Sequence, residues 1–185
     1  LDSDSDATRQ LNNASPVVDE LKGLSAGTAL AMILRPGSLV MRPEKPRGQS
    51  VIYRIIAADA DTISQNTLGK TSGPDSNQKN WPIGWEPDKS PGEVAPSLME
   101  TLNAEIAGYS LEEAIEAITP RLKVPLYVDH ALFSVHHIDP TKIQVKLPRA
   151  KMSYKRLLDR VFTQAHVGCT IRVDESGKPF LWVTR

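Results

Sequence analysis

The sequence predicts an α+β fold built from repeated strand–helix–strand units, with paired helices packed against small sheets. Apolar residues recur at helical spacing after serines that are suited to cap a helix. Short runs rich in β-branched residues flank these helices, and the same order of elements recurs along the chain. With 185 residues, 40% of them apolar, the chain can form one ordinary core or two small ones.

The first folded segment is predicted over residues 17–58. Ser25 is suited to cap a helix, which Arg35-Pro36-Gly37-Ser38 ends, and residues 39–41 and 50–57 follow as strands. The apolar stripe expected to be buried is Ala26, Ala29, Leu30, Ile33 and Leu34. Residues 1–16 are polar and acidic and are predicted to be a disordered lead-in. Because the chain begins with leucine, we expect it to be a piece of a longer protein.

Residues 59–96 are predicted to be an irregular linker, because they are rich in Ser, Asn, Gly and Pro and contain few aliphatic residues. Trp81 and Trp85 interrupt this composition. Two exposed indole rings are unfavourable in water, so we expect both to dock on a folded surface. The alternative is that the two tryptophans form a hot spot for binding a partner.

Residues 97–185 are predicted to form a complete two-unit domain. Ser110 and Glu113 form a capping box at the start of a helix that Pro120 ends. A strand over 124–129, an irregular connection over 130–141 and a strand over 143–147 follow. Ser153 then opens the last helix, and a hairpin over 169–184 turns at Asp-Glu-Ser-Gly. The two buried stripes are Leu111, Ala114, Ile115 and Ile118, then Tyr154, Leu157, Leu158, Val161 and Phe162.

Internal similarity indicates that these segments are repeats. A shift of 128 residues places Ser25 on Ser153, and a shift of 85 residues places Ser25 on Ser110. In both cases apolar helix positions coincide. Capping and helical periodicity impose much of this likeness on any strand–helix–strand segment. The hairpin that follows both the first and the third helix is the part that chance explains least well.

Two runs, GYSLEEAIEAITPRLKVPLYVD and KIQVKLPRAKMSYKRLLDRVFTQAHVGCTIRVDESGKPFLWVTR, resemble the secretin and TonB short N-terminal domain. The shared order is a serine-capped helix, a strand with a final Asp, a strand leading to a second helix, and a closing hairpin. The resemblance covers about residues 103–185, with a partial copy over 21–57. It implies a non-catalytic protein-interaction module with no cofactor, in the periplasm or cell envelope.

Candidate chemical sites are few in this sequence. Asp129, His130, His136, His137 and Asp139 lie within eleven residues, but their spacing matches no metal motif. We therefore expect a solvated loop there, with a metal site or a pH-sensitive contact as alternatives. No nucleophile elbow, P-loop or Rossmann glycine pattern occurs, so we predict no enzyme activity. The single cysteine, Cys169, lies in an apolar strand and is expected to be a core residue.

Charge is balanced overall but segregated along the chain. Residues 86–118 hold eight acidic residues against one basic, whereas residues 141–185 hold ten basic residues against three acidic. This pattern fits an ordinary solvated surface, head-to-tail self-association, or phosphate binding by the basic part. The scarcity of aromatic residues, at 5%, argues against a base-stacking surface. The candidate interaction residues are Lys155, Arg156, Arg160, Glu112, Glu113, Trp81 and Trp85.

The sequence therefore predicts a protein-interaction or assembly module whose partner is another protein or a second copy. The alternative is a small nucleic-acid-binding module that uses the basic surface of residues 141–185. No apolar run approaches the roughly 20 residues that span a bilayer, so we expect no membrane insertion within this chain.

Overall fold

The computed structural model describes residues 21–44, 50–59 and 80–185. The described residues contain both helices and small sheets, so the predicted α+β class is confirmed. The predicted lead-in at 1–16, residues 17–20 and 45–49 of the first predicted segment, and residues 60–79 of the predicted linker lie outside the described ranges. Within those ranges, no helix has the length and apolar character needed to cross a bilayer.

The chain forms two compact units. The first contains the described residues up to Glu86 together with Val173–Lys178, and the second contains Pro87–Arg172 and Pro179–Arg185. The second unit therefore begins ten residues before the predicted domain start at 97, and it excludes the tip of the last hairpin. Trp81 and Trp85 belong to the first unit.

The first unit is a helix followed by a two-stranded sheet. Helix α1 (Ala26–Leu34) continues into a 3-10 turn (Arg35–Gly37), and strands β1 (Leu39–Glu44) and β2 (Ile52–Ala57) pair antiparallel. Ser38 has a φ of 52° and donates its N–H to the Arg35 carbonyl, which closes the helix end. Leu34, Leu39 and Met41 form the small core.

The buried face of α1 differs from the predicted stripe. Its buried residues are Thr28, Ala31, Met32 and Leu34. Ile33, by contrast, is 39% exposed. The indole of Trp81 lies directly against Gly27, and the Glu175 carboxylate lies against the same glycine. Small residues at Gly27 and Ala31 allow this close approach, so tertiary packing overrides the larger apolar stripe.

The second unit contains most of the regular structure. Its helices are α2 (Pro91–Val94), α3 (Leu111–Ile118), α4 (His130–Val135) and α5 (Tyr154–Gln164). Its strands are β3 (Thr101–Ser110), β4 (Leu126–Val128), β5 (Gln144–Ser153), β6 (Gly168–Val173, whose last residue belongs to the first unit) and β7 (Pro179–Thr184). The strand–helix–strand order occurs in β3–α3–β4 and in β5–α5–β6. That the two segments are true repeats remains a prediction.

Two separate sheets contribute to the core of the second unit. Strands β3 and β5 pair antiparallel, and β7 is the central strand of the second sheet, with β4 parallel to it and β6 on its other side. The predicted stripes are buried as expected at Leu111, Ala114 and Ile118 of α3, and at Leu157, Leu158, Val161 and Phe162 of α5. Ile115 and Tyr154 pack against the core while partly exposed.

The predicted caps of these two helices are confirmed. Ser110 accepts the Glu113 N–H at 3.2 Å, and Ser153 accepts the Arg156 N–H at 3.3 Å. Helix α3 ends at Ile118 and is followed by a 3-10 turn that contains Pro120. These are contacts between residues within a few positions of one another, which is why sequence patterns predict them.

Two predictions in the second unit are wrong. The connection over 130–141 is not wholly irregular, because α4 forms there, and the buried Asp129 side chain accepts the Leu132 N–H at 3.2 Å. Strand β5 continues six residues beyond the predicted end at Leu147. It passes Pro148 because the register shifts there, so that Pro148 and Arg149 lie opposite Glu105. Such a bulge accommodates a proline within a strand.

Candidate interaction surfaces

Five of the ten basic residues in 141–185 are engaged within their own unit. Lys142 and Lys155 form ion pairs with Asp139 and Asp159, at 2.8 Å and 2.7 Å. Arg172 is buried, with its guanidinium 5.8 Å from the centre of the Trp182 ring. Lys178 donates to the Gly23 carbonyl, and Arg185 contacts His136. The predicted contact residue Lys155 is therefore neutralised by its own helix.

The other five basic residues are Lys146, Arg149, Lys151, Arg156 and Arg160. All five are exposed, on β5 or on α5. From Lys146 to Arg156 the sequence contains no acidic residue. Their side chains make no ion pair with any residue in the described ranges. We call these five residues the cationic seam.

The last residue of helix α5 contacts β5, the strand that carries the other three residues of the seam. At the end of α5, the Gln164 Oε1 atom accepts the Lys146 N–H at 3.0 Å, while its Nε2 atom donates to the Arg160 carbonyl at 3.1 Å. Arg156, Arg160 and Gln164 recur every four residues and thus form one row along the helix. Gln164, which contacts the strand, therefore lies in the same row of the helix as the two arginines.

Helix α3 presents the opposite charge. Glu112 and Glu116 are exposed, lie four residues apart, and make no ion pair within the described residues. We call these two residues the acidic row. Glu113, the other predicted contact residue of this helix, accepts the Ser110 N–H at 2.7 Å and the Ser110 hydroxyl at 3.0 Å. These hydrogen bonds lower the pKa of Glu113, so its carboxylate is committed to the capping box.

Trp81 and Trp85 make contacts within the first unit. Trp85 is 7% exposed, and its backbone exchanges two hydrogen bonds with Val173, at 2.8 Å and 2.9 Å. Trp81 is partly buried, donates its backbone N–H to the Met41 carbonyl, and packs edge-to-face on Tyr53 and Trp85. The burial of Trp85 agrees with docking on a folded surface, whereas part of Trp81 remains accessible.

The histidine-containing segment is held by structural contacts. The buried Asp129 accepts from the Thr184 hydroxyl at 3.1 Å in addition to capping α4. Hydrogen bonds from Lys142 and Thr141 lower the pKa of Asp139 to about 2. His136 Nδ1 lies 2.7 Å from Arg185, which can only donate, so this nitrogen accepts. Within the described ranges, no group of three or more His, Cys, Asp or Glu side chains could hold a metal ion.

Cys169 packs against the core of the second unit. Burial, and next the nearby Asp159 carboxylate, raise the pKa of its thiol to about 12. A thiol with so high a pKa is a weak nucleophile near neutral pH, which agrees with the expected structural role.

The sequence did not indicate the contact between α1 and the turn at Val173–Lys178. The Glu175 carboxylate accepts the Gly27 and Thr28 N–H groups, at 2.6 Å and 3.2 Å, and the Thr28 hydroxyl at 2.7 Å. Ser25 lies at the predicted cap position, yet its side chain makes no cap hydrogen bond and donates to Asp174 instead. The acidic pair in the turn was the available signal, since carboxylates favour helix N-termini.

No protein-family model matches the chain, and the comparisons with curated proteins and with solved structures also found no match.

Proposed function

We propose that this chain is a non-catalytic protein-interaction or assembly module, and that its second unit binds an acidic protein surface through the cationic seam. The observation that supports this most directly is the seam itself. Five exposed cations lie on adjacent parts of β5 and α5, and none has an ion-pair partner among the described residues. Opposite charge on a partner would steer association and set its orientation.

The order of elements supports the assignment to an interaction module. The second unit begins this order with a serine-capped helix and a strand followed by Asp129. A strand leading to a second serine-capped helix comes next, and a hairpin closes the chain. This is the order on which the resemblance to the secretin and TonB short N-terminal domain rests. We extend the proposal to a location in the periplasm or cell envelope, which fractionation of cells that make the protein would test.

Several side chains that could take part in catalysis are held in structural contacts, which supports a role without catalysis. The carboxylates of Asp129 and Asp139 cap α4 and a turn, and the pKa of Cys169 is raised to about 12 by burial. Each of these groups would need to be freed from a structural contact before it could act as a base, a ligand or a nucleophile.

Binding to an acidic polypeptide tests the proposal. Fluorescence anisotropy with labelled poly-L-glutamate would compare the 185-residue chain with a Lys146→Ala, Arg149→Ala, Lys151→Ala variant. We expect the variant to bind about tenfold more weakly at low salt, because three exposed charge contacts of roughly 0.5 kcal/mol each add up to about the 1.4 kcal/mol that a tenfold change in Kd requires. A Lys89→Ala, Lys123→Ala, Lys142→Ala variant loses the same number of cations elsewhere in the second unit and should bind like the unchanged chain. Equal binding by both variants would contradict the proposal.

A nucleic-acid-binding module remains the second candidate. Tyr109 of β3 is 53% exposed and pairs in register with Val145, the residue before Lys146 on β5. An accessible aromatic ring next to cations can stack on a base. The same anisotropy experiment with a single-stranded DNA oligonucleotide separates the candidates. Tighter binding of DNA than of poly-L-glutamate at about 0.15 M salt would favour this second function.

A further inference from the structure

We infer that the partner is a second copy of this chain, with the acidic row on α3 of one copy docked on Arg156 and Arg160 of the other. This inference rests on the proposed function and specifies the partner of the same surface. It also changes the predicted contact set, because Lys155 and Glu113 are committed within their own helices.

The two rows have matching spacing. Glu112 and Glu116 are four residues apart on α3, and Arg156 and Arg160 are four residues apart on α5. Four residues of α-helix rise about 6 Å, so both rows hold their charges at the same separation. Two helices laid side by side could therefore form both ion pairs together.

Each copy carries both the acidic row and the two arginines, and neither set forms ion pairs within its own described residues. The two rows lie in one compact unit, and no ion pair joins them within the described residues. Arg156 lies in the first turn of α5 and Glu112 in the first turn of α3. At the N-terminus of a helix the charge of Glu112 is favourable, whereas the charge of Arg156 is unfavourable and would be offset by an incoming carboxylate.

Exposed ion pairs contribute little individually and are screened by salt. The association is therefore weak and salt-sensitive, and its detection requires high protein concentration. Charge reversal provides a specific test, because complementary variants associate with each other but not with themselves.

Sedimentation equilibrium of the 185-residue chain is the measurement. At low salt we expect self-association of the unchanged chain that weakens as the Debye length falls from about 10 Å at 0.1 M to about 3 Å at 1 M salt. Two variants, Arg156→Glu with Arg160→Glu and Glu112→Lys with Glu116→Lys, should each be monomeric. An equimolar mixture of the two should associate again.

A Lys123→Glu, Lys142→Glu variant carries the same change in net charge as the arginine variant and should retain self-association. Circular dichroism would confirm that each variant is folded, and Glu112→Gln with Glu116→Gln replaces the lysine variant if that one unfolds. A monomeric unchanged chain, or a mixture that stays monomeric, would overturn the inference. If poly-L-glutamate still binds through the seam in that case, the proposed function stands and only the second copy is excluded as partner.

Discussion

Asp174 accepts two hydrogen bonds from Ser25, a residue 149 positions earlier in the chain, one from the backbone N–H at 2.9 Å and one from the hydroxyl at 2.6 Å. Its other carboxylate oxygen accepts the N–H groups of Ser176 and Lys178 in its own turn. With Asp174 only 2% exposed, one buried carboxylate satisfies four donors. The start of α1 is thus completed by residues from the far end of the sequence.

Replacing Asp174 should destabilise the first unit. Asp174→Ala leaves the Ser25, Ser176 and Lys178 donors without their acceptor, and we expect a loss of about 1.5–3 kcal/mol in the free energy of unfolding. Urea denaturation followed by tryptophan fluorescence measures this loss. Asp88→Ala removes an exposed carboxylate and is the matched control, expected to change the free energy by less than about 0.5 kcal/mol. An equal effect of both substitutions would show that the buried contact contributes nothing.

The same contact predicts a dependence on acid. Burial raises the pKa of Asp174, but hydrogen bonds from Ser25 and from backbone N–H groups outweigh it, so the folded-state pKa lies below the ordinary value. The stabilisation is therefore fully present above the unfolded pKa of about 3.9 and is lost as pH falls through the lowered folded value. The stability difference between the unchanged chain and Asp174→Asn should stay constant from neutral pH to about 4 and shrink below it. A difference that grows in acid would contradict this assignment.

Gly27→Ala should destabilise α1 although alanine favours helices. A Cβ atom at Gly27 would lie 2.7 Å from Trp81 Cζ2 and 2.8 Å from Glu175 Oε1. We expect this overpacking to cost about 1–3 kcal/mol, more than the helix propensity gain of up to about 1 kcal/mol. Gly92→Ala is the control, because its nearest neighbour would be Met99 at 3.8 Å. Thermal unfolding of both variants would decide, and a stabilised Gly27→Ala would show that Trp81 can move aside.

Leu158→Ala tests the core of the second unit. Leu158 is 1% exposed on α5 and packs in the main cluster, so we expect a loss of about 2–5 kcal/mol. Val135→Ala, at a position that is 64% exposed, should cost less than about 0.5 kcal/mol in the same chemical denaturation series. A loss below about 0.5 kcal/mol at Leu158 would mean that this face of α5 does not support the fold.

Local patterns in the sequence determined helices α3 and α5 of the second unit. Ser110 and Ser153 cap their own helices through atoms three residues away, and Leu111, Ala114, Leu157 and Leu158 recur at the helical period. The commitment of Glu113 to its capping box and of Lys155 to Asp159 was also readable, because both contacts span three or four residues. Those local contacts leave Arg156, Arg160 and Glu112 as the charged residues of the predicted set that are not engaged within their own helices.

Tertiary structure alone decided the features that depend on distant partners. The buried face of α1 is set by Trp81 and by the turn that holds Asp174 and Glu175, and no periodicity within the helix records their approach. Strand β5 continues through Pro148 because its partner strand accepts a register shift there. Local sequence determines an element when its own neighbours satisfy its hydrogen bonds and periodicity, whereas burial and capping by residues about 150 positions away exist only once the chain has folded.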